Sequence, residues 1–383
     1  MLHIANATIH TPDRVIERGS VVVDGGRIVA VGPVDGMPAA AGARRMDAGG
    51  RILAPGFIDL QLNGAFGDDF TADPGTIWRV AAGLPRYGVT AFLPTIITSP
   101  LEQVEAGLRV VTAGRPKGFR GAVPLGVHAE GPFLNTKKKG AHNQQYLRPP
   151  EAGAVAGWSP ASGMRLVTMA PELPGALAVI EALTSRGVVV STGHSMATYD
   201  EAVAGFDAGA RYGTHLFNAM PSLGHRDPGL PGALLSDDRM TVGFIADGVH
   251  THRSIIELVW RMLGPKRMSL VTDAMAALGM PPGNHRLGDY DVVVDATSCR
   301  LADGTLAGSI LELDQALRNL IEITGCALGE ALETVTTTPA KLLGLEMERG
   351  RIAPGCSADM VLLSTDLRVQ TTFASGEIVY SAA

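Results

Sequence analysis

Four residues hold most of the chemistry available to this chain: Glu130 in HAEGPF, His194 in STGHS, His215 in THLFNAM and Asp273 in VTDA, each at the end of a short hydrophobic run. One carboxylate and two imidazoles make a hard-to-borderline donor set that suits Zn2+ or Fe2+ and leaves a position open for water. Asp273, a carboxylate beside such a site, could take a proton from water acidified there and later return it to a leaving group. A lone histidine of this kind is more often a hydrogen-bonded core residue, and a lone aspartate often caps a turn. Their shared position at the ends of hydrophobic runs favours a hydrolytic metal centre.

Residues so distant in sequence meet only if the elements carrying them converge. Eight strand-like runs, at 52–64, 89–98, 123–132, 165–172, 188–195, 210–220, 240–250 and 268–274, mostly alternate with segments of helical spacing. Eight parallel strands joined by crossover helices predict an α/β fold, a (β/α)8 TIM-like barrel whose C-terminal strand ends line one mouth. In the first run, Gln61 and Asn63 occupy the positions where many metal-dependent barrel hydrolases carry His-x-His. Neutral amides are weak ligands next to imidazole. One tightly held ion is therefore expected, with Gln61 and Asn63 at most weak neighbours of a second. Capping-box spacing falls at Ser99/Glu102, Thr198/Glu201 and Ser309/Glu312, and the last precedes an apolar face of Leu313, Ala316, Leu317, Leu320 and Ile321.

The chain ends have a different character. SVVVDGGRIVAVG puts Asp24-Gly25-Gly26 between β-branched runs, a hairpin signal, and ADMVLLS, LRVQTTFA and EIVYS are again strand-like, with Ser375-Gly376 at a turn. Neither end can bury a core alone. Residues 1–51 and 347–383 are thus expected to pair into one small β-sandwich domain beside a barrel of residues 52–346.

The 383 residues leave room for such a domain, since one barrel takes ~250. A composition of 46% hydrophobic and 18% charged residues suits a large buried fraction. With 32 basic against 38 acidic residues, a net charge of −6 and no basic stripe, nucleic acid is not an expected partner. Cys299, Cys326 and Cys356 show no CxxC spacing, so neither a disulfide framework nor a thiolate zinc site is indicated. The N-terminal residues alternate as a strand and do not resemble a signal peptide, and no apolar run approaches the ~20 residues that span a bilayer. A cytoplasmic protein with no membrane partner is expected.

In this order and spacing, PGFIDLQLNG, HAEGPFLN, KKKGAHN, STGHS, THLFNAM, VTDAM and LADGTLAGS resemble the N-acetylglucosamine-6-phosphate deacetylase family of the amidohydrolase superfamily, over essentially the whole chain. The resemblance implies hydrolysis of the acetamido group of N-acetyl-D-glucosamine 6-phosphate to glucosamine 6-phosphate and acetate. It implies Glu130, His194 and His215 as ligands of one divalent ion, foremost Zn2+, with Fe2+, Co2+ or Mn2+ as alternatives. Asp273 would be general base and then acid, and His142 would contact the acetyl carbonyl. Substrate contacts are implied at Ala141, His142, Asn218, Ala219, Arg226 and His250, and around Leu306, Ala307 and Gly308. A homodimer is implied as well, because in relatives the neighbouring subunit can take part in phosphate recognition.

Without the resemblance, Arg226 in its Pro/Gly-rich loop reads as solvated surface, and so does the run Lys137-Lys138-Lys139. Three other functions compete: the same reaction on N-acetylgalactosamine 6-phosphate, cyclic-amide hydrolysis, and an inactive assembly scaffold. Gln61 and Asn63 in place of His-x-His disfavour cyclic-amide hydrolysis. Occupied ligand and Asp273 positions disfavour the scaffold.

Overall fold

The computed structural model describes residues 1–37 and 42–382; positions 38–41 and 383 of the expected end domain lie outside the described residues. Eight parallel strands follow one another around a barrel: β1 Phe57–Leu62, β2 Val89–Ile97, β3 Val127–Glu130, β4 Met164–Met169, β5 Val189–Thr192, β6 Tyr212–Gly213, β7 Thr241–Phe244 and β8 Met268–Leu270. Each pairs with the next in chain order. The ring closes where Leu62 bridges Ala274, with Asn63 N–H donating to Ala274 O at 2.7 Å and Asp273 N–H to Gln61 O at 2.9 Å. Every residue of β2 is buried, as expected of a strand covered on both faces.

The outer helices use the apolar faces read from the sequence. Leu313–Thr324 buries Leu313, Ala316, Leu317 and Leu320 and ends at Gly325, whose φ of 68° suits a glycine cap. Each buried leucine there contributes ~1.5–3 kcal/mol. Of the three expected capping boxes only Thr198/Glu201 forms. Ser99 instead precedes Pro100, which takes the N-cap position of Leu101–Thr112, and its buried hydroxyl has no partner among the described residues. Ser309 is drawn into the barrel seam, where its Oγ donates to Thr272 O and accepts from Leu311 N–H, so the helix cap falls to Glu312.

Two departures from a simple barrel shape the mouth. After β3 the chain runs through residues 131–163 in loops and short 3-10 turns without an α-helix. Between β8 and the last barrel helix a three-stranded antiparallel sheet, Gly283–Leu287, Tyr290–Val294 and Cys299–Arg300, packs on Ile97, Met275, Ala276 and Ala277. The sequence reading did not anticipate this insertion.

Strands from both chain ends form one eight-stranded sheet around a separate core that includes Ile4, Val21, Leu53, Met360 and Phe373. Ile52–Pro55, expected to open the first barrel strand, belongs to this sheet: it pairs with Leu2–His10 and with Met360–Leu363. The changeover falls at Gly56, where a Cβ would stand 2.2 Å from Thr90 Oγ1. The expected hairpin forms on Gly25 and Gly26, both at positive φ. The edge strand Arg27–Pro33 also meets the segment leading into Met360–Leu363, with Ile28 N–H donating to Cys356 O at 2.9 Å. Among the described residues no helix is long and apolar enough to cross a membrane.

Candidate active site

Glu130 is the last residue of β3, while His194, His215 and Asp273 stand just beyond β5, β6 and β8. His194, His215 and Asp273 have φ of 48°, 31° and 49°, a left-handed backbone that is costly outside glycine. Leaving the strand in this way turns the side chains into the mouth. All four line one cavity of about 490 Å3.

Glu130 Oε1 lies 3.1 Å from His194 Nε2 and 3.0 Å from His215 Nε2, and the two imidazole nitrogens are 3.1 Å apart. His194 Nδ1 donates to Lys138 O at 2.8 Å, which leaves Nε2 as a lone pair facing the cluster. Three donor atoms, all buried, thus point at one another and require a positive charge between them. Burial pulls the His215 imidazole down, but hydrogen bonding and charge from Glu130 outweigh it and hold the group above its usual value. Burial opposes ionisation of Glu130, yet the two histidines hold its carboxyl well below the ordinary range. The donor set fits a single divalent cation.

Asp273 sits beside this cluster. Its Oδ1 accepts from Asn63 Nδ2 at 2.8 Å and Gln61 Nε2 at 3.1 Å, and no hydrogen bond among the described residues engages Oδ2. Gln61 Nε2 also donates to Glu130 Oε1 at 3.1 Å. The two amides therefore orient carboxylates through their nitrogens, an arrangement that differs from ligation. Burial, and then the charge of Glu130, raises the Asp273 carboxyl to about 6.

His142 reaches the mouth from the long connection after β3. Its Nδ1 accepts from Thr98 N–H at 3.3 Å and lies 2.9 Å from Thr98 Oγ1, so the ring proton belongs on Nε2. Burial, then His194, lowers its pKa to about 3, which keeps it a neutral donor. Also on the cavity wall, His250 Nδ1 is 2.6 Å from Asp247 Oδ2, while Asp247 Oδ1 accepts from Val249 and His250 N–H. Asp247 carried no role in the sequence analysis, and its orienting task emerges only from these contacts.

Of the expected substrate contacts, Ala141, His142, Asn218, Ala219, His250, Leu306 and Gly308 line the cavity. Ala307 does not: it is fully buried, and its N–H is taken by Cys299 O at 3.0 Å. Arg226 does not either, being exposed on a different cavity beside Met196 and Tyr199. Lys137 and Lys138, read as solvated surface, do line the mouth, because the chain after β3 folds over it. Leu287 and Arg300 join them from the unanticipated insertion. For these last residues the sequence held no periodic signal.

The amidohydrolase family profile matches residues 52–379. An N-acetylglucosamine-6-phosphate deacetylase of Homo sapiens is 44% identical over 353 residues, 88% of this chain and 86% of its own length. An N-acetylgalactosamine-6-phosphate deacetylase of Escherichia coli O157:H7 is 37% identical, over 85% of this chain and 87% of its own. A solved structure of the Mycobacterium smegmatis N-acetyl-D-glucosamine-6-phosphate deacetylase, an aspartate-to-alanine mutant in complex with N-acetyl-D-glucosamine 6-phosphate, superposes with a TM-score of 0.90 at 37% identity and 99% coverage of both chains.

Proposed function

The chain belongs to the amidohydrolase family, and from that premise we propose that it hydrolyses the acetamido group of N-acetyl-D-glucosamine 6-phosphate, releasing acetate and glucosamine 6-phosphate. The observation that carries this reading is the meeting of Glu130, His194 and His215 at about 3 Å with Asp273 alongside. An amide is a weak electrophile with a poor leaving group, so cleavage needs an activated water, charge stabilisation and a proton for the amine. Glu130, His194 and His215 would hold a divalent cation, which we take to be Zn2+, and when bound it supplies Lewis acidity to water and carbonyl. Asp273 Oδ2 accepts the proton of the attacking water while Gln61 and Asn63 hold Oδ1. The same carboxyl then delivers the proton to the departing amine nitrogen. His142 Nε2–H donates to the acetyl oxygen as negative charge gathers on it. At the other end, His250, steadied by Asp247, takes the phosphate together with Asn218 and Ala219.

We further assign the working unit as a homodimer. Exposed Leu223, Leu258 and Met262 border an apolar hollow of about 510 Å3 that shares His250 with the active cavity. A partner covering this face would lie against the phosphate end, where Arg226 of the partner subunit could complete the grip with its planar donors. The three unpaired cysteines suit a reducing compartment, and we place the protein in the cytoplasm.

The test is acetate release from N-acetylglucosamine 6-phosphate, its galactosamine epimer and unphosphorylated N-acetylglucosamine, with bound metal measured by elemental analysis. The glucosamine 6-phosphate substrate should give the highest kcat/KM. Absence of acetate from all three by metal-loaded protein would overturn the reading, and a preference for the epimer would reassign the sugar.

A further inference from the structure

One wall of the active cavity is unused by this chemistry. Ile97 ends β2, is only 6% exposed, and lines both the active cavity and a second cavity of about 510 Å3 behind it. Ala141 is likewise shared between the two. Thr98 faces the second cavity and His142 the first, and their 2.9 Å contact spans the same partition. The tip of Ile97 extends to the insertion: a Cβ built on Gly288, at its first hairpin turn, would stand 3.5 Å from Ile97 Cδ1. Ile97 thereby closes the gap between barrel and insertion. Beyond it the surroundings turn polar, with Gln103, Asn143 and the unpartnered, buried hydroxyl of Ser99.

The inference rests on the deacetylase reading, in which His142 holds the acetyl oxygen. Oxygen and methyl are bonded to one carbon, so the methyl must lie close to the group that holds the oxygen. Ile97 and Ala141 are apolar residues shared by the two cavities, next in the chain to Thr98 and His142. We propose that Ile97, backed by Ala141, sets the length of the acyl group: it meets the methyl of an acetamide and blocks a longer chain from the second cavity. Shortening Ile97 joins the two spaces and admits the extra carbon.

The experiment compares kcat/KM for N-acetyl-, N-propionyl- and N-butyrylglucosamine 6-phosphate in the metal-loaded wild type and in Ile97→Ala, Ile97→Val and Val292→Ala. One methylene in an apolar pocket is worth about 10–200-fold in discrimination. Ile97→Ala should raise the propionyl-to-acetyl ratio by about tenfold or more, and Ile97→Val should move it less in the same direction. Val292 belongs to the same buried cluster but lines neither cavity, so Val292→Ala should leave the ratio at the wild-type value. If Ile97→Ala fails to fold, Ile97→Val decides. Unchanged ratios in folded Ile97 variants that still release acetate would overturn the wall, whereas a wild type that releases no acetate would overturn the deacetylase reading instead.

Discussion

Asp273 spends one oxygen on two amide donors and keeps the other free, which gives its replacement a sharp consequence. In Asp273→Asn the amide oxygen can still accept from Gln61 and Asn63, while an NH2 group that takes no proton replaces Oδ2. Turnover should fall by about 10^2–10^4-fold. Metal content and thermal midpoint should stay near wild type, and steady-state assay with elemental analysis checks both. Retention of more than a tenth of the activity would assign the proton transfer to another group. The chemical identity of these residues was legible in sequence because carboxylate and imidazole recur at run ends. Their left-handed backbone, the proton on His142 Nε2 and the donor role of Gln61 and Asn63 were not, since each depends on a neighbour supplied by another strand.

Elements set those neighbours, and local signals failed where tertiary contacts outcompeted them. Thr198 and Ser99 carry similar sequence signals, yet only the first caps its helix. Thr198→Ala should therefore cost ~1 kcal/mol in chemical denaturation. Ser99→Ala removes a buried hydroxyl that has no partner among the described residues, and should be neutral or mildly stabilising. The β1–β8 seam offers a pH-dependent case. Asp59 accepts from Thr272 Oγ1 at 2.6 Å and from Gln61 N–H at 3.1 Å, but burial dominates and raises its carboxyl to about 7. An acid whose folded pKa lies above its unfolded value binds its proton more tightly in the folded chain. Its contribution is then fully present below about 4 and is lost as pH rises towards 7. Asp59→Asn carries no such titration, so its stability relative to wild type should improve steadily from pH 5 to pH 7. Parallel denaturation curves across that range would remove Asp59 from this role.

For the molecule as a whole, the alternation of runs and helices was enough to specify eight strands and one mouth, because a closed barrel forces distant strand ends together. It could not specify what covers the mouth. The insertion after β8 and the crossing connection after β3 bring Leu287, Arg300, Lys137 and Lys138 there, and neither has a periodic pattern that points inward. Arg226 marks the remaining gap, since it lines a different cavity from the active one of its own chain. If it serves the partner's site, two inactive variants should rescue each other. Arg226→Ala retains Asp273 but lacks the partner's arginine in a homodimer, while Asp273→Asn retains the arginine but lacks the base. In a mixed dimer the Arg226→Ala protomer receives an intact Arg226 from the partner and regains a complete site. Dissociating and reassociating an equimolar mixture should make half the dimers mixed, with one competent site in each, giving about a quarter of wild-type activity per site. No gain over the sum of the separate variants, with mixed dimers verified by mass spectrometry, would confine Arg226 to its own subunit or to the surface.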